Sequence, residues 1–289
     1  MTLSLFALQL LNGVEYGLLL FLVASGLTLV FGVLGVLNFA HGSFYMLGAY
    51  LAYWLAERTG SLLWAVLAGV PVMVIVGWAV EKLAISRLYR RDHLSQVLLT
   101  YGLVLLFNDL QRTLFGNDVH GVATPQALTG SLRLGEMQTW PAYRIFTSAA
   151  CLCIALLMRQ IILHTRFGMR VRAGASNGEM VEALGIDVRR LFSILFSAGT
   201  ALAALAGMLA APLTTVYPGM GESVLVISFV VVVIGGIGSI KGAFAGAMLV
   251  GIADTFGKVL FPSVASAMVY AVMAAVLLWR PRGLLGEAR

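Results

Sequence analysis

The chain has 289 residues, of which 60% are hydrophobic and 11% charged, with a formal net charge of +6. An ordinary soluble domain carries about 25% charged residues, and a soluble chain of this size cannot hide so much apolar surface in its interior. These figures exclude a disordered chain, a soluble nucleic-acid-binding domain and a disulfide scaffold, and leave an all-α polytopic transmembrane bundle whose main solvent is lipid.

A spanning helix needs about 20 apolar residues, because each residue rises 1.5 Å across about 30 Å of hydrocarbon. In chain order the candidate spans lie near 12–30, 43–56, 61–83, 97–115, 143–163, 190–211, 223–237, 242–260 and 264–280. The 43–56 and 223–237 segments are short, so either can be extended or paired with a re-entrant piece, and the pattern fits eight or nine spans. Long uninterrupted apolar runs exclude a β-barrel, whose strands alternate with period two. No Lys or Arg precedes Arg58, so the basic region of a cleaved leader is lacking and the first apolar stretch is expected to be a membrane segment. The whole chain, 1–289, is read as one transmembrane domain.

Basic residues set the expected orientation. With the C-terminus inside and nine spans, 14 of the 19 basic residues fall at inner helix ends; Arg58, Arg112, Arg133, Arg144 and Lys258 fall outside. That bias predicts N-terminus out and C-terminus in. The longest outer loop is 116–142 and the longest inner one 164–190. Within the inner loop Met180, Ala183, Leu184 and Val188 share one face of a short amphipathic helix, with Ser176 or Asn177 as its cap and Gly185 interrupting or ending it.

Few residues carry chemistry. The only Gly-Lys pair, Gly257–Lys258, lacks the spacing of a phosphate-binding loop, and His41, His93, His120 and His164 are scattered. Cys151 and Cys153 lie in one apolar run and read as packing residues. Two breaks interrupt the hydrophobic pattern. In the first, Gly32 to Gly42, Asn38 and His41 are three apart; they either cap helix ends or form part of a gate or polar path. In the second, Gly235, Gly236, Gly238 and Ser239 supply a flexible break, and Gly238, Gly242 and Gly246 repeat every four residues as a smooth helix-packing stripe. A weak internal similarity aligns His41-Gly-Ser-Phe44 with Lys241-Gly-Ala-Phe244. Asp109 and Arg112, and Asp254 and Lys258, have the spacing of helical ion pairs.

Residues 26–50 (GLTLVFGVLGVLNFAHGSFYMLGAY), 233–243 (VIGGIGSIKGA) and 183–187 (ALGID) resemble the signatures of LivH-type permeases, the membrane subunits of bacterial ABC importers for branched-chain amino acids. The run Asn-Phe-Ala-His-Gly fits the LivH pattern better than that of the sister LivM-type subunit. The resemblance spans essentially the whole chain. It implies a multi-pass subunit of the inner membrane that is not itself an enzyme, binds no cofactor or metal, and works with four kinds of partner: a second LivM-type permease, two ABC ATPases that use ATP and Mg2+, a periplasmic solute-binding protein, and lipid. It further implies that the inner loop is a coupling helix carrying Glu179, Glu182, Ala183, Gly185 and Ile186, flanked by Arg172 and Arg189. The transport path or gate is expected at Asn38, His41, Gly42, Tyr45, Gly236, Gly238 and Ser239. The substrate is leucine, isoleucine or valine by resemblance, with urea, short amides or aromatic acids as alternatives. A stand-alone carrier or channel for a small neutral solute is the other class the residues allow.

Overall fold

The computed structural model describes residues 3–89, 91–133 and 139–286. Arg90 and Arg289, both counted in the charge bias, lie outside them.

The first helix sets the frame. α1 (Leu3–Leu34) runs 32 residues without a proline, and its second half is buried on every side. At 1.5 Å per residue it is about 48 Å long, well beyond the hydrocarbon thickness. A helix apolar all round is a buried one, and α1 is the post around which the rest is built. The other helices are α2 (His41–Thr59), α3 (Leu62–Leu83), α4 (His93–Phe115), α5 (Ala142–His164), α6 (Arg166–Ser176), α7 (Gly178–Ala183), α8 (Val188–Ala210), α9 (Met220–Gly235), α10 (Ile240–Leu260) and α11 (Ala265–Trp279). Among the described residues six helical segments are long and apolar enough to cross a membrane: α1, α3 with the turn that follows it, α5, α8, α10, and α11 with the turn before it; α9 is a shorter apolar helix. The nine expected spans each coincide with a helix, but α2, α4 and α9 are not among those six.

Cross-helix contacts define two ends of the bundle. At one, Arg144 of α5 pairs with Glu15 of α1 at 2.8 Å, Trp140 donates to Asn12, and the Tyr143 hydroxyl donates to the Leu209 carbonyl near the end of α8. At the other, the end of α1 approaches Gly238, and Glu81 of α3 accepts hydrogen bonds from Ser193 of α8 (2.6 Å) and from Tyr89 (2.7 Å). The start of α4 lies at this second end, where Asp92 caps the helix; the Ser95 hydroxyl and backbone N–H hold its carboxyl below the usual carboxylate range. A short antiparallel pair, β1 (Ser131–Arg133) and β2 (Thr139–Pro141), lies in the long loop at the first end.

Two helices start halfway through the bundle. After α1 the chain folds back into the protein, with Val36, Asn38 and Ala40 fully buried, and α2 begins beside the middle of α1: His41 Nε2 donates to the Val23 carbonyl at 3.0 Å. After α8 it folds back from the first end, where Val216 bridges His120, and α9 begins at the same depth. Gly42 and Gly221 are in mutual contact, so a Cβ on either would run into the other's carbonyl oxygen. Non-helical backbone at such depth is stable only when covered by protein, and α1 and α8 supply the cover.

The arrangement is an inverted repeat. The unit α1–α2–α3–α4 matches α8–α9–α10–α11 with the ends exchanged. α1 and α8 cross at Gly26 and Gly199; α3 lies on α8 through Gly77 and Thr200, as α10 lies on α1 through Ala247 and Gly17. The equivalent of His41-Gly42 is therefore Met220-Gly221, and not Lys241-Gly242 as the internal similarity suggested. Two identical residues in four aligned two helix starts that run the same way, whereas the repeat relates helices that run oppositely.

Candidate functional site

The residues of the two breaks occupy different environments. In the first, Asn38 is not on the helix but in the turn before it, where its side-chain oxygen accepts from the Ala40 N–H at 3.1 Å. His41 opens α2. Because a carbonyl only accepts, its bond to Val23 fixes the proton on Nε2 and leaves Nδ1 as an acceptor. His41 Nδ1 and Asn38 Nδ2 have no partner, although both residues are fully buried. Gly42 carries the contact with α9. Tyr45 is buried where α2 crosses α8, its carbonyl against Gly207. These four residues lie inside the protein.

The second break is more open. Gly236 and Gly238 turn the chain with φ of 97° and 81°, values that favour glycine. Gly236 is buried against Gly286, Gly238 is exposed and faces Gly32, and Ser239 caps α10 by accepting from the Gly242 N–H at 3.0 Å. The packing stripe is shorter than its spacing suggested. Gly242 and Gly246 lie on α10 and press against Gly235 and Val231 of α9, but Gly238 belongs to the turn before the helix. The serine cap starts the helix after the third glycine, which sequence spacing cannot show.

The inner loop also holds more structure than expected. Between α5 and α8 stand two helices. α6 packs Gly168, Val171 and Gly174 against the ends of α5, α8 and α1, and the Arg172 guanidinium donates to the Ile162 carbonyl. α7 is capped by Asn177, whose side chain accepts from the Met180 N–H at 3.0 Å. The chain then turns at Gly185 with φ of 83°, and Asp187 caps α8. Val188 therefore belongs to α8 and cannot extend the α7 face. Glu182, Ala183 and Gly185 are exposed and Ile186 is half-buried; the side chain of Glu179 lies outside the described residues. Met180 is 58% and Leu184 74% exposed, leaving an apolar patch at the tip of the loop.

Asp254 and Lys258 form the expected pair at 2.6 Å, but Asp109 and Arg112 form no ion pair among the described residues. The Asn108 amide beside them instead donates to Glu222 of α9 at 2.8 Å. The sequence pattern singles out neither Gly199 nor Gly221, and it places Glu222, like Glu15, at the border of a span. The available signal was Gly219-Met-Gly221-Glu222 directly before a span too short to cross alone.

Known proteins supply the remaining information. A family model described as the permease component of branched-chain amino acid transport systems matches residues 9–278. The chain is 30% identical over 296 residues to the high-affinity branched-chain amino acid transport system permease protein BraD of Pseudomonas aeruginosa, covering 96% of this chain and 95% of that one. It is 31% identical over 301 residues to the LivH permease protein of Escherichia coli, covering 98% and 96%. The E. coli LivM permease protein is 27% identical over 292 residues, covering 93% of this chain and 68% of the relative. No solved structure matches.

Proposed function

We propose that this chain, which belongs to the family of permease components of branched-chain amino acid transport systems, is one of two permease subunits of an ABC importer in a bacterial inner membrane. The match over residues 9–278 carries the reading. The second subunit is a LivM-type permease, since this chain resembles both LivH and LivM proteins and is nearer in length to LivH. Two ATPases and a periplasmic binding protein complete the machine, and ATP with Mg2+ is used on the ATPases. The solutes are leucine, isoleucine and valine.

The end of the bundle that holds Arg144 faces the periplasm and the end that holds α6 and α7 faces the cytoplasm. Most basic residues gather at the latter, and α1 starts at the former while Leu284, at the end of the described chain, bonds to Ile234 at the latter. The chain crosses nine times, with α2 and α9 each completing a crossing begun by a re-entrant segment.

Each structural part has a task in alternating access. α7 and Leu184 present Met180 and Leu184 to a groove on an ATPase, as a helix-in-groove contact. Closure of the ATPase dimer displaces α7. The Gly185 turn and the Asp187 cap pass that displacement to α8, which is rigid over 23 residues. α8 carries the crossing with α1 at Gly26 and with α2 at Gly48 and Gly207. A rotation of α8 therefore shifts both half-helix starts together, and the glycine contacts allow one backbone to slide on another. The buried Glu81–Ser193 bond keeps α3 moving with α8. The turn at Gly236 to Ser239 is the hinge at the cytoplasmic mouth.

The test is reconstitution. This chain with its LivM-type partner, both ATPases and the binding protein in liposomes takes up leucine only with ATP. Gly185→Arg, which places a bulky cation at a left-handed turn, abolishes ATPase co-purification and uptake. Uptake by the chain alone without ATP would overturn the reading in favour of a stand-alone carrier.

A further inference from the structure

Depth places one carboxylate where a membrane protein rarely leaves one exposed. Asn12 lies at the Arg144 end of the bundle and Leu34 ends α1, and Val23 lies eleven residues from each. At 1.5 Å per residue that is about 16 Å either way, the middle of a hydrocarbon layer of about 30 Å. His41 bonds to Val23, Gly42 meets Gly221, and Glu222 follows in the first turn of α9. Glu222 is thus at mid-depth, and its side chain is on the surface of the chain. Its hydrogen-bond partner is a neutral amide, Asn108 of α4, and both ion pairs among the described residues lie elsewhere.

The surroundings narrow the reading. Glu222, Val226, Phe229 and Val233 recur at spacings of four, three and four, which is one face of α9, and Phe229 packs on Phe39 of the first break with ring centroids 5.5 Å apart. Asn108 shares its face of α4 with Tyr101 and Leu105, both exposed, by the same spacing. The exposed faces of α4 and α9 are therefore apolar, with one acidic group at the end where the two helices are joined by the Asn108–Glu222 bond. Such a surface facing lipid would cost several kcal/mol for the charge alone. Facing a water-filled path it has a use.

We propose that the α4–α9 seam is the wall of the transport path toward the partner permease, and that Glu222, oriented by Asn108, receives the ammonium group of an amino acid in transit while Val226 and Phe229 contact its branched side chain. This rests on the importer reading above. The charge is complementary, and the first turn of α9 favours a negative group there. Asn108 holds the carboxylate toward the seam. Because Asn108 is a donor, Glu222→Gln keeps an oxygen to accept its bond and removes only the charge.

The experiment uses the reconstituted transporter. Glu222→Gln assembles with both ATPases and the binding protein, hydrolyses ATP at the wild-type level, and takes up leucine about tenfold more slowly, as expected for losing a charge-assisted hydrogen bond. A Glu222→Cys variant with Cys151 and Cys153 replaced by Ser reacts with a cationic, membrane-impermeant thiol reagent, and Ala271→Cys in the same background, on the exposed face of α11 near its middle, does not. Wild-type uptake by Glu222→Gln, or protection of Cys at 222 to the level of the Ala271 control, would overturn the inference. Loss of permease pairing in Glu222→Gln would also overturn it and assign the carboxylate to a subunit contact. Failure of the wild-type transporter to use ATP would instead sink the importer reading itself.

Discussion

The two half-helices, α2 and α9, start back to back at the centre of the bundle, and their first turns serve different ends. The start of α2 is sealed: Asn38 and His41 are fully buried, and His41 is tied to α1 through Val23. The start of α9 is open on one side, with Glu222 at the surface and accepting from the Asn108 amide. The backbone repeat is shared, but the side chains divide the labour. One half fixes the crossing of α1, α2 and α8, and the other presents a polar group to whatever passes along the seam. An inverted repeat built this way gains a rigid centre without making both of its halves rigid.

The largest expected effect tests whether the shared backbone contact is indispensable to both halves. Gly42→Val and Gly221→Val each drive a side chain into the opposite carbonyl. Backbone cannot yield there without separating the half-helices, and overpacking of this kind costs about 1–3 kcal/mol even where side chains can relax. Neither variant is expected to yield monodisperse protein in mild detergent. If one of the pair folds normally, the two starts are not equivalent in packing.

A smaller effect separates the sealed half from the open one. His41→Ala removes a fully buried ring and its bond to Val23, and is expected to destabilise by about 2–3 kcal/mol. Ser239→Ala at the second break removes one helix cap and should cost about 1 kcal/mol. Thermal unfolding in detergent reads both; equal losses would show that the first break is no more tightly built than the second. The smallest effect has the opposite sign. Gly102 lies on α4 with open space around its Cα, so Gly102→Ala should raise stability by about 0.5 kcal/mol through helix propensity alone.

Much of the molecule was legible in its sequence. Apolar runs are the price of spanning lipid, so composition alone required a helical bundle, and the runs marked where helices would lie. The Asn177 cap and the Gly185 turn followed from local chemistry, because a capping side chain and a left-handed glycine act within a few residues. The signature runs pointed to the permease family by resemblance, and several glycines within them, Gly26, Gly42, Gly48, Gly235 and Gly242, sit against neighbouring backbone.

What the sequence could not decide is depth and facing. A hydropathy pattern is one-dimensional, so it marked 43–56 and 223–237 as short but did not show that both begin at mid-depth against each other. It offered Asn38 and His41 either as helix caps or as part of a gate or path, because polar groups stand out among apolar ones. Only the packing of α1, α8 and α9 encloses them. It placed Glu222 at the border of a span, because an acidic residue at such an edge looks like an interface residue until a re-entrant segment carries that edge into the centre of the membrane. Local patterning fixes which residues are helical and which faces are apolar; the return of the chain into its own interior, set by contacts between glycines some 179 positions apart, fixes what those faces meet.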